Sequence, residues 1–443
     1  MKKVSLVSLG CSKNLIDAEQ MLAILEDNGF EIIDNEENAD IMIVNTCAFI
    51  DDAKQEAIDC ILEHAEYKKA DSERLLVVTG CLSQRYKDEI LNEIPEVDIV
   101  IGTNEFDKIA DIIKNYSKEN TNVYCSEEYM ECDSLRRVVT TPKYTAFIRI
   151  AEGCDNRCTY CIIPYIRGSY RSRSIEDIVH EAKILAENGA KELVVIAQDT
   201  SRYGIDIYGK YMLPKLLKKL CGIGGIEWIR LHYCYPEFIT DELIDVMASE
   251  EKICNYLDIP IQHANDEILK KMGRKINKEQ LTELIKKLRA KISDIVIRTT
   301  IIVGFPTETD EQFSELRDFV TDVEFDRLGI FTYSQEEGTP AARMKGQIDE
   351  ETKRNRQEIL MIDQAEVSEG LNKQKVGKTF KVLVEGYDNI IKMFYGRTYA
   401  DSAEVDGKVF FSSLKKCDDG EFVYVKITDY MEYDLYGEAV WEE

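Results

Sequence analysis

The feature that most constrains this chain is a loop carrying three cysteines. Cys154, Cys158 and Cys161 stand at a C-x3-C-x2-C spacing, immediately after a predicted strand over residues 145–151. Four-iron clusters are held by cysteine thiolates and normally take four of them. A compact loop that offers three, with no fourth Cys or His nearby in the sequence, leaves one iron open to a substrate. The spacing therefore predicts a [4Fe–4S] cluster on these three residues, which are also the predicted catalytic residues.

A structural zinc site is the alternative for the same loop. Structural zinc is closed by four ligands, usually supplied as two pairs of Cys or His. Residues 153–161 contain no second pair of that kind. The spacing and the missing fourth ligand both favour an iron–sulfur cluster over zinc.

Composition limits the partners and the compartment. The 443 residues include 56 Lys and Arg against 83 Asp and Glu, which gives a formal charge of −27. Nucleic-acid binding depends on Lys and Arg that neutralise phosphates, so no tight nucleic-acid binding is expected. The 13 cysteines are more typical of reduced thiols and metal ligation than of secreted disulfides. These reduced thiols predict a cytoplasmic protein. No run of about 18 apolar residues occurs, so we expect no membrane span.

The amino-terminal region, residues 1–140, alternates apolar runs with helical patterns, which predicts an open, doubly wound α/β domain. Cys11, Cys47 and Cys81 each follow the end of a predicted strand. Parallel strands end at one edge of a sheet, where ligands of such folds bind, so these three cysteines are predicted to converge on a metal group. The alternative is that they are three small buried hydrophobic residues. The other cysteines have no such position, and we expect no role for them: Cys60, Cys125, Cys132, Cys221, Cys234, Cys254 and Cys417.

The middle region, residues 141–345, repeats a strand–helix alternation six times and predicts a partial β/α barrel of six units. Barrel enzymes carry their chemistry on the loops at the carboxyl ends of the strands. Gln198 and Gln262 follow the second and fourth strands. Arg298 lies within the apolar fifth strand and needs an anionic partner, either a ligand or an internal ion pair. His232 and His263 also lie at strand ends, where a ligand contact and an ordinary hydrogen bond are equally plausible.

The carboxyl-terminal region begins with a predicted helical connector over residues 346–376, followed by alternating strands over residues 377–443 that predict a small antiparallel β-barrel. That barrel has 8 Lys and Arg against 14 Asp and Glu, and residues 1–140 have 14 against 30. The acidity of the chain therefore lies in its two flanking domains. It indicates either solvated faces or the attraction of a basic protein substrate.

The cysteine motifs resemble those of a known enzyme group. The loop at 154–161 is similar to that of the radical S-adenosylmethionine (SAM) superfamily. Ser8-Leu9-Gly10-Cys11, Asn45-Thr46-Cys47 and Thr79-Gly80-Cys81 narrow the resemblance, over essentially the whole chain, to the radical SAM methylthiotransferases. The resemblance implies a SAM molecule on the open iron, with Tyr160 beside its adenine and Gln198 at its amino group. It also implies an auxiliary [4Fe–4S] cluster on Cys11, Cys47 and Cys81, and a TRAM module as the final barrel.

The same resemblance implies an activity. One SAM supplies a radical, a second SAM methylates sulfur on the auxiliary cluster, and the methylthio group passes to an unactivated carbon. An external one-electron donor and a sulfur source are then required as partners. Arg298 and Gln262 would join Tyr160 and Gln198 as SAM contacts, with the SAM carboxylate or ribose as the partner of Arg298.

Two motifs bear on the substrate. Ala197-Gln198-Asp199-Thr200-Ser201 and the stretch from Tyr333 to Thr339, which contains Glu336 and Glu337, resemble the branch that modifies the β-carbon of an aspartate in a basic small-subunit ribosomal protein (RimO-like). The alternative is the tRNA adenosine branch (MiaB-like), whose substrate requires a basic groove and stacking surfaces. A non-catalytic iron–sulfur scaffold is the third hypothesis.

Overall fold

The computed structural model of the chain describes residues 1–120, 122–128 and 136–441. The amino-terminal domain is a parallel sheet flanked by helices. Its strands are β1 (Lys3–Ser8), β2 (Glu31–Ile32), β3 (Ile41–Thr46), β4 (Leu75–Gly80), β5 (Ile99–Ile101) and β6 (Val123–Tyr124). Its helices are α1 (Ser12–Asp27), α2 (Asp51–Ala70), α3 (Cys81–Glu93) and α4 (Ile109–Lys114).

The strand order of this sheet, β2-β1-β3-β4-β5-β6, reverses direction between β1 and β3. Strands β3 and β4 are buried along their whole length, because helices cover both faces of the sheet. In open parallel sheets, ligands bind outside the carboxyl ends of the strands at the point of reversal. The doubly wound prediction is confirmed. The two-residue strands β2 and β6 were not predicted, because they are too short to show a periodic pattern.

The middle domain is a six-stranded parallel sheet in the order β14-β13-β12-β11-β10-β7, as the sequence predicted. Its first strand is β7 (Thr145–Arg149), and a small hairpin of β8 (Ala151–Glu152) and β9 (Arg171–Ser172) follows it. The other strands are β10 (Glu192–Ile196), β11 (Trp228–Leu231), β12 (Ile253–Asp258), β13 (Val296–Val303) and β14 (Arg327–Thr332). The helices are α5 (Ile163–Ile166), α6 (Ile175–Glu187), α7 (Ile205–Tyr208), α8 (Leu213–Cys221), α9 (Asp241–Ser249), α10 (Asp266–Lys271), α11 (Lys278–Lys291) and α12 (Asp310–Val323).

The carboxyl-terminal domain is a closed five-stranded barrel, entered from the long helix α13 (Glu350–Lys373). Its strands are β15 (Thr379–Asp388), β16 (Met393–Arg397), β17 (Val409–Ser412), β18 (Phe422–Tyr430) and β19 (Leu435–Val440). Strands β17 and β19 pair in parallel, whereas the other pairs are antiparallel. The predicted small barrel is therefore present, with one parallel pair that alternation of side chains does not reveal.

A buried ion network fixes the final barrel to the amino-terminal ends of the middle strands. Glu192, the first residue of β10, accepts from Arg230 at 2.8 Å and from Arg397 at 2.7 Å. Burial alone would raise the pKa of Glu192, but Arg397 and Arg230 lower it to about 2. The final barrel therefore closes the end of the middle domain that lies opposite the carboxyl ends of its strands.

Helix α1 packs the amino-terminal domain against the middle domain. Ile16 is buried against Val194 and Ile196 of β10. Asp17, one residue later, pairs with Arg149 of β7. The helix that follows Cys11 is therefore packed directly on the middle domain.

Candidate active site

We call Cys154, Cys158 and Cys161 the loop cysteines. Gly153 precedes them with φ +77°, and a Cβ there would lie 2.1 Å from the Ser169 carbonyl oxygen, so only glycine fits. The loop is held by backbone bonds from Cys154 N to Gly168 O at 3.0 Å and from Thr159 N to Met272 O at 2.9 Å. These contacts fix the three thiols just beyond the carboxyl end of β7.

The loop cysteines form an electrostatically coupled group. Burial raises the pKa of Cys154 to about 12, and the charge of Cys158 adds to that effect. Burial and then Cys158 also raise the pKa of Cys161. Cys154 and Cys161 are therefore protonated without a metal, and a bound cluster must displace their protons.

We call Cys11, Cys47 and Cys81 the strand-end cysteines. They follow β1, β3 and β4, which are neighbours in the sheet at its point of reversal. Burial and then the charge of Cys11 raise the pKa of Cys47. Burial raises the pKa of Cys81 to about 12, to which Cys11 and Cys47 contribute. The structure therefore brings the three thiols close together, as the strand positions predicted.

Two glycines shape this second group. Gly10 has φ +90°, and a Cβ there would lie 2.7 Å from the Cys47 Cβ and 3.1 Å from its Sγ. Gly80 has φ +95°, and a Cβ there would meet Asn45 Oδ1 at 2.5 Å. Glycine is thus required before Cys11 and before Cys81, as it is before Cys154. The space beside the Cys47 sulfur exists only because residue 10 has no side chain.

The donor sets of both groups suit a four-iron cluster. All cysteines in the described part of the chain are free thiols, and Cys132 lies outside it. Within the same ranges, no three His, Cys, Asp or Glu side chains are close enough to share one metal ion. A four-iron cluster does not require that, because each thiolate binds a different iron. Each group supplies three thiols, which can bind three of the four irons and leave the fourth iron open.

Arg167 of the middle domain contacts the strand-end group and was not predicted. It lies at the end of α5, six residues after Cys161, and donates to Asp17 Oδ2 at 2.7 Å. Its Nη2 lies 3.5 Å from Cys81 Sγ. Although burial opposes its charge, Asp17, Cys81 and Glu152 hold the pKa of Arg167 well above the ordinary value. No local signal marks this residue, because its partners are far away in the sequence.

Gln198, Gln262 and Tyr160, the predicted SAM contacts, differ in their surroundings. The Nε2 of Gln198 donates to Glu152 Oε1, while its buried Oε1 has no partner among the described residues. The buried Oε1 of Gln262 also lacks one in that part of the chain. Tyr160 packs beside Phe305, and burial followed by the charge of Cys158 raises its pKa well above the ordinary value. Two buried acceptors are thus left without a partner among the described residues, whereas the Tyr160 ring packs on the protein itself.

Arg298 has internal partners instead. Its Nη1 lies 3.3 Å from Asp258 Oδ1, and its Nε lies 3.6 Å from Asp406 Oδ1 of the final barrel. Of the two alternatives for this residue, the structure contains the ion pair. His232 is also held by the final barrel, because its Nε2 lies 2.8 Å from Ser402 Oγ. His263 accepts from the Asn265 backbone through Nδ1 at 2.9 Å.

The two motifs that bear on the substrate are largely internal. Asp199 accepts from Asn156 of the cysteine loop at 2.8 Å, and burial raises its pKa to about 6. Glu336 is buried between Lys54 of α2, at 2.9 Å, and Arg85 of α3, at 2.6 Å. These side chains join the loop and the domains to one another. Glu337, in contrast to Glu336, has 69% of its side chain exposed.

Comparison with known proteins agrees with this geometry. The chain matches the models of the radical SAM superfamily over residues 148–320, of the uncharacterized protein family UPF0004 over residues 3–102 and of the TRAM domain over residues 376–440. The ribosomal protein uS12 methylthiotransferase RimO of Lachnoclostridium phytofermentans is 54% identical over 99% of this chain and 100% of that protein. The protein of the same name from Clostridioides difficile is 52% identical, and both chains are covered completely.

The chain belongs to the RimO family of methylthiotransferases. Among solved structures, the radical SAM methyltransferase TsrM of Kitasatospora setae has a TM-score of 0.58 at 16% identity and covers 77% of this chain and 74% of its own. The cobalamin-dependent SAM radical enzyme OxsB has a TM-score of 0.51 at 13% identity, covering 77% of this chain and 54% of its own. At these identities the likeness concerns the fold alone.

Membership in the RimO family decides between the hypotheses for the chain. It is a radical SAM enzyme that carries out methylthiolation with SAM and [4Fe–4S] clusters as cofactors. The tRNA adenosine branch is not favoured, and the hypothesis of a non-catalytic scaffold is wrong. Searching the described ranges reveals no helix that is both long and apolar enough to cross a membrane.

Proposed function

We propose that this RimO family member adds a methylthio group to the β-carbon of an aspartate in ribosomal protein uS12. The loop cysteines hold one cluster, at which SAM binds, and the strand-end cysteines hold the second. When bound, these groups supply radical removal of hydrogen from carbon, together with the sulfur and methyl that replace it. The observation that carries the proposal is the presence of two three-thiol groups on adjoining domains. Arg167 lies 3.5 Å from Cys81 Sγ, and the next residue, Gly168, accepts from the Cys154 backbone N–H at 3.0 Å.

The residues of the chain position the reactants and exclude water. Tyr160 supplies an apolar face for the adenine of SAM, and Gln198 and Gln262 offer buried acceptors to its polar groups. Arg298 serves the interface with the final barrel through Asp258 and Asp406. A radical must be kept from solvent, and the burial of Cys154 and Cys158 supports that requirement.

The charge distribution supports a basic protein as the substrate. Residues 1–140 carry 14 Lys and Arg against 30 Asp and Glu, so the domain of the strand-end cysteines is strongly acidic. Complementary potentials raise the encounter rate between partners and set their orientation. The same acidity speaks against tight nucleic-acid binding. An external one-electron donor and a sulfur source complete the set of partners, and we infer a cytoplasmic location because ribosomal proteins are made and assembled there.

Mass spectrometry of cells that lack the chain tests the proposal. We expect uS12 to carry a methylthio mass shift on one aspartate in the parent, to lose it in the deletion strain, and to regain it when the gene is restored. Total tRNA from the same cultures serves as the control and should be unchanged. A methylthio nucleoside that disappears from tRNA while uS12 stays unmodified in all strains would defeat the proposal.

A further inference from the structure

Lys13 is a buried cation that the cysteine chemistry does not use. It lies in the first turn of α1 and is only 6% exposed. Its Nζ lies 3.2 Å from the centroid of the Tyr233 ring. No carboxylate of the described residues lies within ion-pair distance of it, whereas the neighbouring buried Arg167 has Asp17. Lys13 is therefore a charged group without an acidic partner.

Lys13 lies at the contact between the two domains that carry the thiol groups. Cys11, a strand-end cysteine, precedes it by two residues. Tyr233, on which it rests, is two residues from Tyr235, whose Oη lies 3.7 Å from Sγ of the loop cysteine Cys158. Ile16, one helical turn further on, packs against β10 and holds this end of α1 on the middle domain.

The backbone beneath Lys13 is also unusual. Tyr233 has φ +60° and follows the end of β11, and Gln262 has φ +72° after the neighbouring strand β12. Bulky residues in this region are strained, and such residues cluster at binding and catalytic sites. The Tyr233 residue that carries this strain is the one whose ring lies under the ammonium group of Lys13.

A buried ammonium without an acidic partner is costly, and a cation–π contact offsets only part of that cost. Such a group is stabilised when an anionic ligand enters. The reaction proposed above brings in carboxylates of two kinds, that of each SAM molecule and that of the substrate aspartate. The cysteine loop resembles that of enzymes whose open iron chelates the amino and carboxylate groups of SAM, so the carboxylate of the substrate is the one without a partner.

We propose that Lys13 binds the side-chain carboxylate of the substrate aspartate and thereby holds its β-carbon between the two clusters. This assignment rests on the proposed function. Because the carboxylate keeps its charge when hydrogen leaves the adjacent β-carbon, the ion pair persists through the reaction. Lys13 is then the residue that selects aspartate over its neutral analogue asparagine.

The test compares two forms of purified uS12, one with the modified aspartate and one with asparagine in its place. Their dissociation constants are measured anaerobically with the reconstituted enzyme, alongside the rate of SAM cleavage without substrate. We expect the wild-type enzyme to bind the aspartate form about tenfold or more tightly than the asparagine form. Lys13→Met and Lys13→Gln should lose this preference, and Lys13→Arg should keep part of it. Lys69→Met, at an exposed lysine of α2 paired with Glu66, should match the wild type.

Four other outcomes would contradict the assignment of Lys13, and each identifies which step of the argument fails. If Lys13→Met and Lys13→Gln retain iron content and still prefer aspartate, Lys13 does not bind the substrate carboxylate. If they weaken SAM binding and slow SAM cleavage without substrate, the SAM carboxylate occupies the site. If the wild-type enzyme methylthiolates uS12 while showing no preference, only this assignment fails. If it neither binds nor modifies uS12, the proposed function fails with it.

Discussion

The two thiol groups of this protein reach the same kind of position by different routes. The loop cysteines lie within eight consecutive residues, 154–161, and one glycine and a few backbone bonds fix them. The strand-end cysteines lie on three separate strands, and only the order of the sheet brings them together. The first group is a property of a loop, whereas the second is a property of a fold. Damage to the fold should therefore affect the second group first.

The largest expected effect comes from removing one thiol of each group. Cys158→Ala should abolish SAM cleavage and methylthiolation while the strand-end group retains its iron. Cys47→Ala should keep SAM cleavage and lose methylthiolation, because its group supplies the sulfur. Iron content, 5′-deoxyadenosine and methylthiolated uS12 are measured for both variants. Equal loss of iron and of cleavage in the two variants would contradict two separate sites.

Arg167 tests how strongly the amino-terminal and middle domains are joined. Arg167→Met leaves the buried Asp17 and Glu152 without one of their cations, which should cost about 3–5 kcal/mol of unfolding free energy. Arg136→Met is the matched control, since Arg136 pairs with two acids but its side chain is 53% exposed. That change should cost about 1 kcal/mol or less. The two variants are compared by their urea unfolding midpoints, measured anaerobically. Similar midpoints for both would contradict the inference that Arg167 joins the domains.

Substitution of Gly10, the glycine before Cys11, can distinguish the effect of backbone strain from the effect of crowding at the thiols. Gly10→Ala adds a Cβ at 3.1 Å from Cys47 Sγ and forces a left-handed backbone on alanine. Gly29→Ala carries a similar strain, with φ +85°, but its Cβ would meet nothing within 4 Å. Each change should cost about 1–2 kcal/mol through the backbone. Only Gly10→Ala should also lower the iron content of the strand-end group, measured in a Cys158→Ala background. Equal iron in both variants would show that the space beside Cys47 is not needed.

The sequence predicted those features that depend on a repeated pattern or on residues that are close together in the chain. The alternation of strands and helices predicted the three domains, because burial imposes a regular period on the residues. The position of Cys11, Cys47 and Cys81 after strands predicted their convergence. The sequence could not predict the contacts of Arg167 and Lys13. Their partners lie 150 and 220 residues away, and such distant pairs leave no local pattern.

The motif of residues 333–339, which bears on the substrate, also shows that sequence does not reveal long-range partners. Glu336 and Glu337 are adjacent and identical in type, yet one is buried between two cations and the other is exposed. Sequence alone assigns both to the substrate. The fold decides which one is available, because Lys54 and Arg85 come from helices of another domain. Long-range ion pairs thus account for most of what the sequence did not reveal.

The smallest expected effect concerns Glu337, at the boundary between the domains that carry the two thiol groups. Its Oε1 lies 3.9 Å from Arg85 of the amino-terminal domain, and its side chain is open to solvent. A basic substrate that must reach both groups passes this boundary, so Glu337→Gln should weaken uS12 binding by about two- to fivefold. The loss should shrink as salt rises, because exposed charges are screened. Glu283→Gln, at an exposed position of α11, is the control and should bind as the wild type does. An effect of Glu337→Gln that is unchanged at high salt would mean that Glu337 acts through Arg85 on the domain interface, and the route of the substrate would then lie elsewhere.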